Sequence, residues 1–240
     1  MKRIGNLTAI LFIVILSFTA CDLDIGVNGS GRIERDTLDL QAITGIVIEA
    51  SFDVVLNYDT VQEVIVETDD NIMDLVDIQV INGLCYLDYK PGSTIMNSHT
   101  RVYISIPELS RLAINGSGDI LGTNTFLDQD EISIFIGGSG DVSVAADANT
   151  IETEISGSGD VHLVGFADDH FIYIGGSGDV EAFDLITDNT TIKIYGSGNT
   201  ECTVNGDLYI TISGSGNVYY KGQPSISVNN YGSGNIYNYN

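Results

Sequence analysis

Apolar β-branched residues alternate with polar ones over most of the chain, and a Gly-Ser-Gly-Asp or Gly-Ser-Gly-Asn tetrapeptide interrupts the alternation at regular intervals. Ile136 and Val142 flank one copy of the tetrapeptide and are six positions apart, as are Ile155 and Val161 around the next copy. Alternation with a period of two predicts strands with one buried face. An even separation keeps the two flanking residues on that same face.

The tetrapeptide occurs seven times, at intervals of 18 to 22 residues. Self-similarity at such a period indicates a solenoid, in which each repeat buries its apolar face against its neighbours. We therefore predict an all-β fold, a single-stranded right-handed parallel β-helix with three faces and about 18–22 residues per coil. The copies begin at Gly116, Gly138, Gly157, Gly176, Gly196, Gly214 and Gly232. The predicted core comprises Ile134, Ile136, Val142, Ile155, Val161, Ile174, Val180, Ile194, Ile212 and Val218.

A weaker form of the pattern precedes the first tetrapeptide. Ile48 and Val54 keep the separation of six, and so do Val66 and Ile72. This predicts that the stretch before Leu112 consists of more degenerate coils. Since no shift in composition marks a second domain, residues 38–240 are expected to form one β-solenoid domain.

The first residues have the pattern of a targeting segment rather than of a folded element. Two basic residues are followed by an apolar run at 7–18 and then by Cys21. The run is too short to span a membrane comfortably. We predict a lipoprotein signal peptide over 1–20, a lipidated Cys21 at the start of the mature chain, and a flexible tether over 21–37. The alternative is an ordinary cleaved signal in which Cys21 has no special role.

The charge balance excludes several partners. The chain has 33 acidic and 9 basic residues, a formal net charge of −24. Binding to nucleic acid or adsorption to an anionic leaflet needs the opposite sign, so only the lipid on Cys21 is expected to contact a membrane. The other cysteines, Cys85 and Cys202, should lie several coils apart at about 4.8 Å per coil, which is too far for a disulfide.

The acidic residues of the tetrapeptides should form a column on successive coils. Hard cations favour clustered carboxylates, so the column is a candidate calcium ladder. The column continues, however, with asparagines at 199, 217 and 235, which carry no charge. We favour turn and ladder hydrogen bonding and expect no cofactor, with Ca²⁺ as the alternative. The carboxylates are Asp119, Asp141, Asp160 and Asp179.

No constellation of catalytic residues stands out. The three histidines lack metal-ligand spacing, and the Gly-Ser-Gly serines recur too often to be nucleophiles. We expect a non-catalytic protein. The competing hypothesis is a carbohydrate-active β-helix protein that binds or cleaves polysaccharides, since acidic residues abound.

Four tyrosines in the last coils should point outward: Tyr195, Tyr219, Tyr231 and Tyr237. They form a candidate binding surface for glycan rings or for another envelope protein. The alternative is cross-strand pairing that stiffens the sheet. The final coil could also mediate homo-oligomerisation if its edge pairs with another copy.

The recurrent Gly-Ser-Gly-Asp/Asn motif followed by an apolar residue, behind a lipoprotein-like signal, resembles the head GIN domain family of putative auto-transporter adhesins. The resemblance covers approximately Ile43 to Tyr220 and includes the degenerate copy at Ser51-Phe52-Asp53. It implies a right-handed single-stranded β-helix in a bacterial envelope lipoprotein, and it brings no catalytic residues. We therefore expect an adhesin-like binding or scaffold protein that is lipid-anchored at the outer membrane or cell surface.

Overall fold

Stacked parallel coils make up most of the molecule. The computed structural model describes residues 26–240, which are 64% strand and form a β-solenoid of about seven turns. The regular coils run from β11 to β18. Their bounds are β11 Ile120–Ile136, β12 Val142–Ile155, β13 Val161–Ile174, β14 Val180–Ile194, β15 Thr200–Ile212, β16 Val218–Lys221, β17 Ser225–Asn230 and β18 Ile236–Asn238.

The register of these strands follows the tetrapeptide. β12 pairs in parallel with β11 and β13, with Ile155 opposite both Ile136 and Ile174. Each coil bends sharply at the Gly-Ser-Gly corner and then continues as one long strand. Differences in repeat length are absorbed midway between two corners, as in the register shifts near Phe126 and Ile186. All ten predicted core residues are buried, which confirms the predicted inward face.

The tetrapeptide glycines are explained by the distance between coils. Their φ angles lie outside the left-handed region. A Cβ on Gly159 would instead lie 2.0 Å from the carbonyl oxygen of Gly140 on the preceding coil, and one on Gly157 would lie 1.9 Å from that of Gly138. No side chain fits there, so each coil needs glycine at these positions.

The N-terminal part differs from the predicted row of degenerate coils. Its elements are β1 Val27–Asn28, β2 Ile33–Leu38, β3 Gly45–Ile48, β4 Phe52–Tyr58, β5 Glu63–Asp69, α1 Asp70–Met73, β6 Val76–Ile81, β7 Leu84–Tyr89, β8 Ile95–Met96, β9 Thr100–Ile106 and β10 Arg111–Ile114. β3 and β4 do belong to a coil, because they pair in parallel with β10 and β11. The prediction from Ile48 and Val54 is thus confirmed.

The prediction from Val66 and Ile72 is wrong. Val66 lies in β5, which runs antiparallel to both β2 and β9, and Ile72 lies in α1. β6 and β7 form an antiparallel hairpin whose turn residues Asn82 and Gly83 have φ angles of 53° and 82°. Positive φ at both turn residues is typical of a type I′ hairpin. β7 and β9 also stack in parallel on β3 and β4 and so continue the coils, whereas β2, β5 and β6 add only antiparallel pairs.

The tether also differs from expectation over its described part. β1 pairs with β8, and β2 pairs with β5, so residues 27–28 and 33–37 belong to sheets. Asp69 fixes the segment between them by accepting a hydrogen bond of 2.6 Å from the N–H of Gly31. The rest of the predicted tether, like the predicted signal peptide, lies outside the described residues. Within 26–240, no helix has the length and apolar character needed to cross a membrane.

Candidate functional site

The carboxylates of the tetrapeptides form the predicted column, but they are occupied by backbone groups. The N–H of Asp141 donates to Oδ1 of Asp119 at 2.9 Å, and the N–H of Asp160 donates to Oδ1 of Asp141 at 2.7 Å. The same bond joins Asp179 to Asp160 at 2.7 Å. The asparagines continue it, with N–H to Oδ1 distances of 2.6, 3.0 and 2.9 Å at Asn199, Asn217 and Asn235.

This ladder favours the structural interpretation of the column over the calcium ladder. One carboxylate oxygen on each coil accepts the N–H of the next, which otherwise lacks a partner at the corner. In residues 26–240, no three His, Cys, Asp or Glu side chains converge as ligands for a metal ion. The hydrogen bonds give the column a role in coil stacking, and calcium binding by its carboxylates stays a prediction.

Replacing Asp160 should distinguish an acceptor role from a charge role. We expect Asp160→Asn to change the free energy of unfolding by less than about 0.5 kcal/mol, because asparagine makes the same bond at Asn199. Asp160→Ala should cost about 1 kcal/mol through the lost hydrogen bond. Urea unfolding followed by circular dichroism measures both. An asparagine variant as unstable as the alanine variant would contradict the ladder's proposed role.

The four candidate tyrosines do not form one surface. Tyr219 and Tyr237 lie after the corner and stack with ring centroids 5.1 Å apart. Tyr195 lies before the corner, where its ring centroid is 5.4 Å from that of Tyr173. Tyr231 is also before the corner and is 78% exposed. The stacked pair matches the cross-strand alternative, whereas Tyr195 borders a different feature.

That feature is a groove on the strands that precede the corner, which we call the aromatic groove. One column of outward residues there runs Phe135, Glu154, Tyr173 and Lys193 on consecutive coils. The neighbouring column runs Arg111, Ser133, Glu152, Phe171 and Thr191. Together these residues line a groove with a volume of about 240 Å³.

The groove has aromatic walls and a polar floor. Phe135 forms one wall, and Tyr173 with Phe171 forms the other, two coils away, at roughly 9–10 Å between strands. Glu152 and Glu154 lie on the coil between the walls and are exposed. Phe171 is 44% exposed, Tyr173 is 40% exposed, and Phe135 is partly exposed. The rings are therefore available to a ligand.

Glycines next to the corner set the position of both walls. A Cβ on Gly137 would lie 3.0 Å from Cε1 of Phe135, and one on Gly175 would lie 3.2 Å from Cε1 of Tyr173. Each ring thus leans over the glycine two residues later in its own coil. On the coil between the two walls, Glu154 takes the position of the ring and Ser156 takes the position of the glycine. The space between the two rings is therefore lined by polar residues.

The sequence contained a signal for this groove. Phe135, Glu154 and Tyr173 each lie three residues before a tetrapeptide, so aligning the repeats places them in one column. Of the residues proposed from sequence, only Tyr195 borders the groove. Tyr219 and Tyr237 do share a register position, but it lies after the corner, whereas the groove lies before it.

The two cysteines within residues 26–240 are buried thiols. Cys85 and Cys202 are buried and unpaired, which confirms that they form no disulfide. Burial raises the pKa of each thiol to about 12, so both are unreactive at neutral pH. Cys21, the predicted lipidation site, lies outside the described residues.

The last coil exposes side chains that earlier coils bury. Ile226 and Val228 are 41% and 44% exposed. Their register partners Leu208 and Ile210 in β15 are 0% and 1% exposed. Self-association through this coil stays a prediction.

Comparisons with known proteins agree with this architecture. A family model described as "Putative auto-transporter adhesin, head GIN domain" matches residues 42–224. No match to a curated protein was found.

Several solved structures are similar to the chain. A putative adhesin from Bacteroides fragilis NCTC 9343 is 22% identical with a TM-score of 0.82, and the match covers 89% of this chain and 100% of that one. A putative lipid binding protein from Parabacteroides distasonis ATCC 8503 is 22% identical with a TM-score of 0.72, covering 89% and 99%. A putative adhesin from Parabacteroides merdae ATCC 43184 is 19% identical with a TM-score of 0.67, covering 90% and 99%. These likenesses show a shared fold.

Proposed function

The chain belongs to the putative auto-transporter adhesin, head GIN domain family, and from that premise we propose that it is a non-catalytic, lipid-anchored adhesin of the bacterial cell envelope. The observation that carries the proposal is the outer face of the regular coils. Rings such as Phe171 and Tyr173 stay exposed there although the coil core is already complete without them. A rigid face with exposed aromatic and charged groups is suited to contacts with a partner.

The N-terminal segment supports anchoring close to a membrane. Gly26 is buried, and the N–H of Val27 donates to the carbonyl of Thr94 at 2.7 Å. Cys21 is five positions before Gly26, so a lipid on Cys21 would hold Gly26, next to β8, within about 18 Å of the bilayer. The regular coils would then project away from the surface, towards partners outside the cell.

The proposal predicts that Cys21 governs both membrane association and adherence. Bacteria that produce the full chain should show it in the membrane fraction, should label it with a radioactive fatty acid, and should bind to mucin- or matrix-coated surfaces more than cells lacking it. In Cys21→Ala, fatty-acid labelling, recovery in the membrane fraction and adherence should all be lost together. Cys202→Ala is the matched control, because that thiol is buried.

Two results would contradict the proposal. Unchanged membrane association and fatty-acid labelling of Cys21→Ala would rule out a lipid anchor at this residue. Equal adherence of cells with and without the protein would rule out the adhesin function.

A binding role fits the aromatic groove better than polysaccharide cleavage does. Glycoside hydrolysis needs one carboxylic acid whose pKa is raised by an apolar environment. Glu152 and Glu154 are both exposed on an open face. Release of reducing ends from a polysaccharide by the wild-type chain, lost in Glu154→Gln, would overturn the non-catalytic part of the proposal.

A further inference from the structure

We infer that the aromatic groove is a binding subsite for one ring of a neutral saccharide, with Phe135 and Tyr173 contacting the apolar faces of the ring. This inference rests on the proposed binding function and names its ligand class and its site. Sugars combine apolar C–H faces with a rim of hydroxyl groups. A matching site needs aromatic walls with hydrogen-bonding groups between them.

The walls and the floor meet this need. Phe135 and Tyr173 lie on either side of Glu154 in one column of register partners, and all three line the groove. Carboxylates accept hydrogen bonds from hydroxyl groups, and the Arg111 and Lys193 side chains at the ends of the groove donate them. The Tyr195 ring packs against Tyr173 on the side away from Phe135 and so supports that wall.

The size of the groove limits what enters it. Its volume of about 240 Å³ is below the roughly 300–1,000 Å³ of pockets that enclose drug-sized ligands. One ring can therefore enter, while the rest of an oligosaccharide lies along the open face. Exposed groups on the same face, such as Tyr209 at 49% exposure, lie further along this path.

The charge of the groove argues for a neutral ligand. Arg111 and Lys193 balance Glu152 and Glu154, although the whole chain has a net charge of −24. Among residues 26–240, neither Arg111 nor Lys193 has a carboxylate partner; the three ion pairs involve Arg32, Arg35 and Arg101. Arg111 donates to Ser133 Oγ and Glu154 accepts from Ser156 Oγ, each at 3.3 Å, and the remaining donors and acceptors of the four groups can bind uncharged hydroxyl groups.

A cationic ligand has a better site elsewhere on the molecule. Midway between the corners, Asp147, Asp168 and Asp188 line a cleft of about 490 Å³ with no basic residue in its lining. Electrostatic attraction would direct a cation there rather than to the balanced aromatic groove. A polycation is therefore disfavoured in the groove, and the net charge of −24 on the chain disfavours a uronic acid polymer.

The test is binding of the full chain, purified in detergent, to an array of neutral, amine-bearing and uronic-acid-bearing oligosaccharides, followed by titration of the best binder. We expect binding to at least one neutral oligosaccharide. Phe135→Ala and Tyr173→Ala should each weaken it about tenfold through loss of a ring contact. Phe166→Ala, which removes an exposed ring midway between the corners and outside the groove, is the matched control and should leave the affinity unchanged.

Two further variants sharpen the test. Gly175→Ala keeps the Tyr173 ring but displaces it, so it should also weaken binding if ring position matters. Glu154→Gln keeps an acceptor and removes the charge, so a neutral ligand should lose less than about threefold in affinity. Circular dichroism of each variant establishes that the fold is retained.

Three outcomes would overturn the inference: no binding to any neutral oligosaccharide, full affinity in Tyr173→Ala, or binding confined to amine-bearing sugars and lost in Glu154→Gln. The adherence assay separates these results from failure of the proposed function. Cells that adhere to coated surfaces through the chain, while the array stays negative, would keep the adhesin and reject the saccharide. Loss of both signals would reject both proposals.

Discussion

Replacing Gly159 by alanine should lower the free energy of unfolding by about 4 kcal/mol or more. The added Cβ would lie 2.0 Å from the carbonyl oxygen of Gly140 and 2.8 Å from its carbonyl carbon. Both atoms are backbone, and the Gly140 coil is itself stacked on Gly118 at the same spacing. The strain cannot be relieved by a side-chain rotation, so two coils must separate and lose hydrogen bonds and core contacts.

Two control variants separate the clash between coils from other effects. One removes a hydroxyl group and the other adds a methyl group where there is no clash with backbone. Ser158→Ala changes an exposed side chain in the same tetrapeptide and should alter stability by less than about 0.5 kcal/mol. Gly137→Ala adds a Cβ that meets side-chain atoms and no backbone, the Phe135 ring at 3.0 Å and Asn115 Oδ1 at 3.4 Å. Guanidinium unfolding followed by circular dichroism measures all three. A Gly159→Ala midpoint equal to that of Ser158→Ala would disprove the close-packing explanation of the motif.

The regular coils were predictable because the tetrapeptide fixes both the corner and the register. Once glycines such as Gly138 and Gly157 are aligned, the parity of Ile136, Val142 and Ile155 follows from the period of two. A shift by one residue would turn every apolar side chain outward. In this part of the chain, the alternation of apolar residues and the pairing of successive coils therefore predict the same buried face.

The N-terminal region was less predictable because its strands do not repeat. The separation of six between Val66 and Ile72 arises by chance from a strand followed by a helical turn. Asn82-Gly83 between two apolar runs is a strong hairpin signal, and it identifies the β6–β7 hairpin without any repeat. Pairing of β2 with β5, in contrast, joins segments about thirty residues apart, which no local pattern specifies.

The aromatic groove depends both on the repeat pattern and on contacts that no local sequence pattern specifies. The columns follow from the repeats, but the availability of the rings does not. Tyr173 is exposed and Phe135 is partly exposed, because glycines at 175 and 137 let the rings lean towards the corner and because Glu154 rather than a third ring lies between them. Only the packed structure shows that these three positions enclose a space.

A buried histidine should make the protein sensitive to mild acid. His170 is 1% exposed, and its Nε2 lies 3.0 Å from Oγ1 of Thr153. Its Nδ1 has no hydrogen-bond partner. Burial lowers the pKa of this side chain from 6.5 to about 3, because the charged form would lose its hydration without gaining a partner.

The direction of the pH effect follows from linkage. Between about pH 6.5 and 3, the unfolded chain binds a proton at His170 that the folded chain does not bind. The stability contributed by the neutral histidine is complete above pH 6.5 and is lost progressively as the pH falls towards 3. From pH 7.5 to pH 5 the loss from this one group should be about 2 kcal/mol.

The measurement is the difference between the wild type and His170→Leu, since leucine occupies the equivalent position two coils later at Leu208. The surface carboxylates titrate alike in both proteins and cancel in this difference. In urea unfolding, we expect the free energy of unfolding of the leucine variant, relative to that of the wild type, to be about 2 kcal/mol higher at pH 5 than at pH 7.5. Thr190→Val changes the register partner of His170 without a titrating group, so its difference from the wild type should not depend on pH. A His170→Leu difference that is equally flat would show that the histidine does not remain neutral in the core.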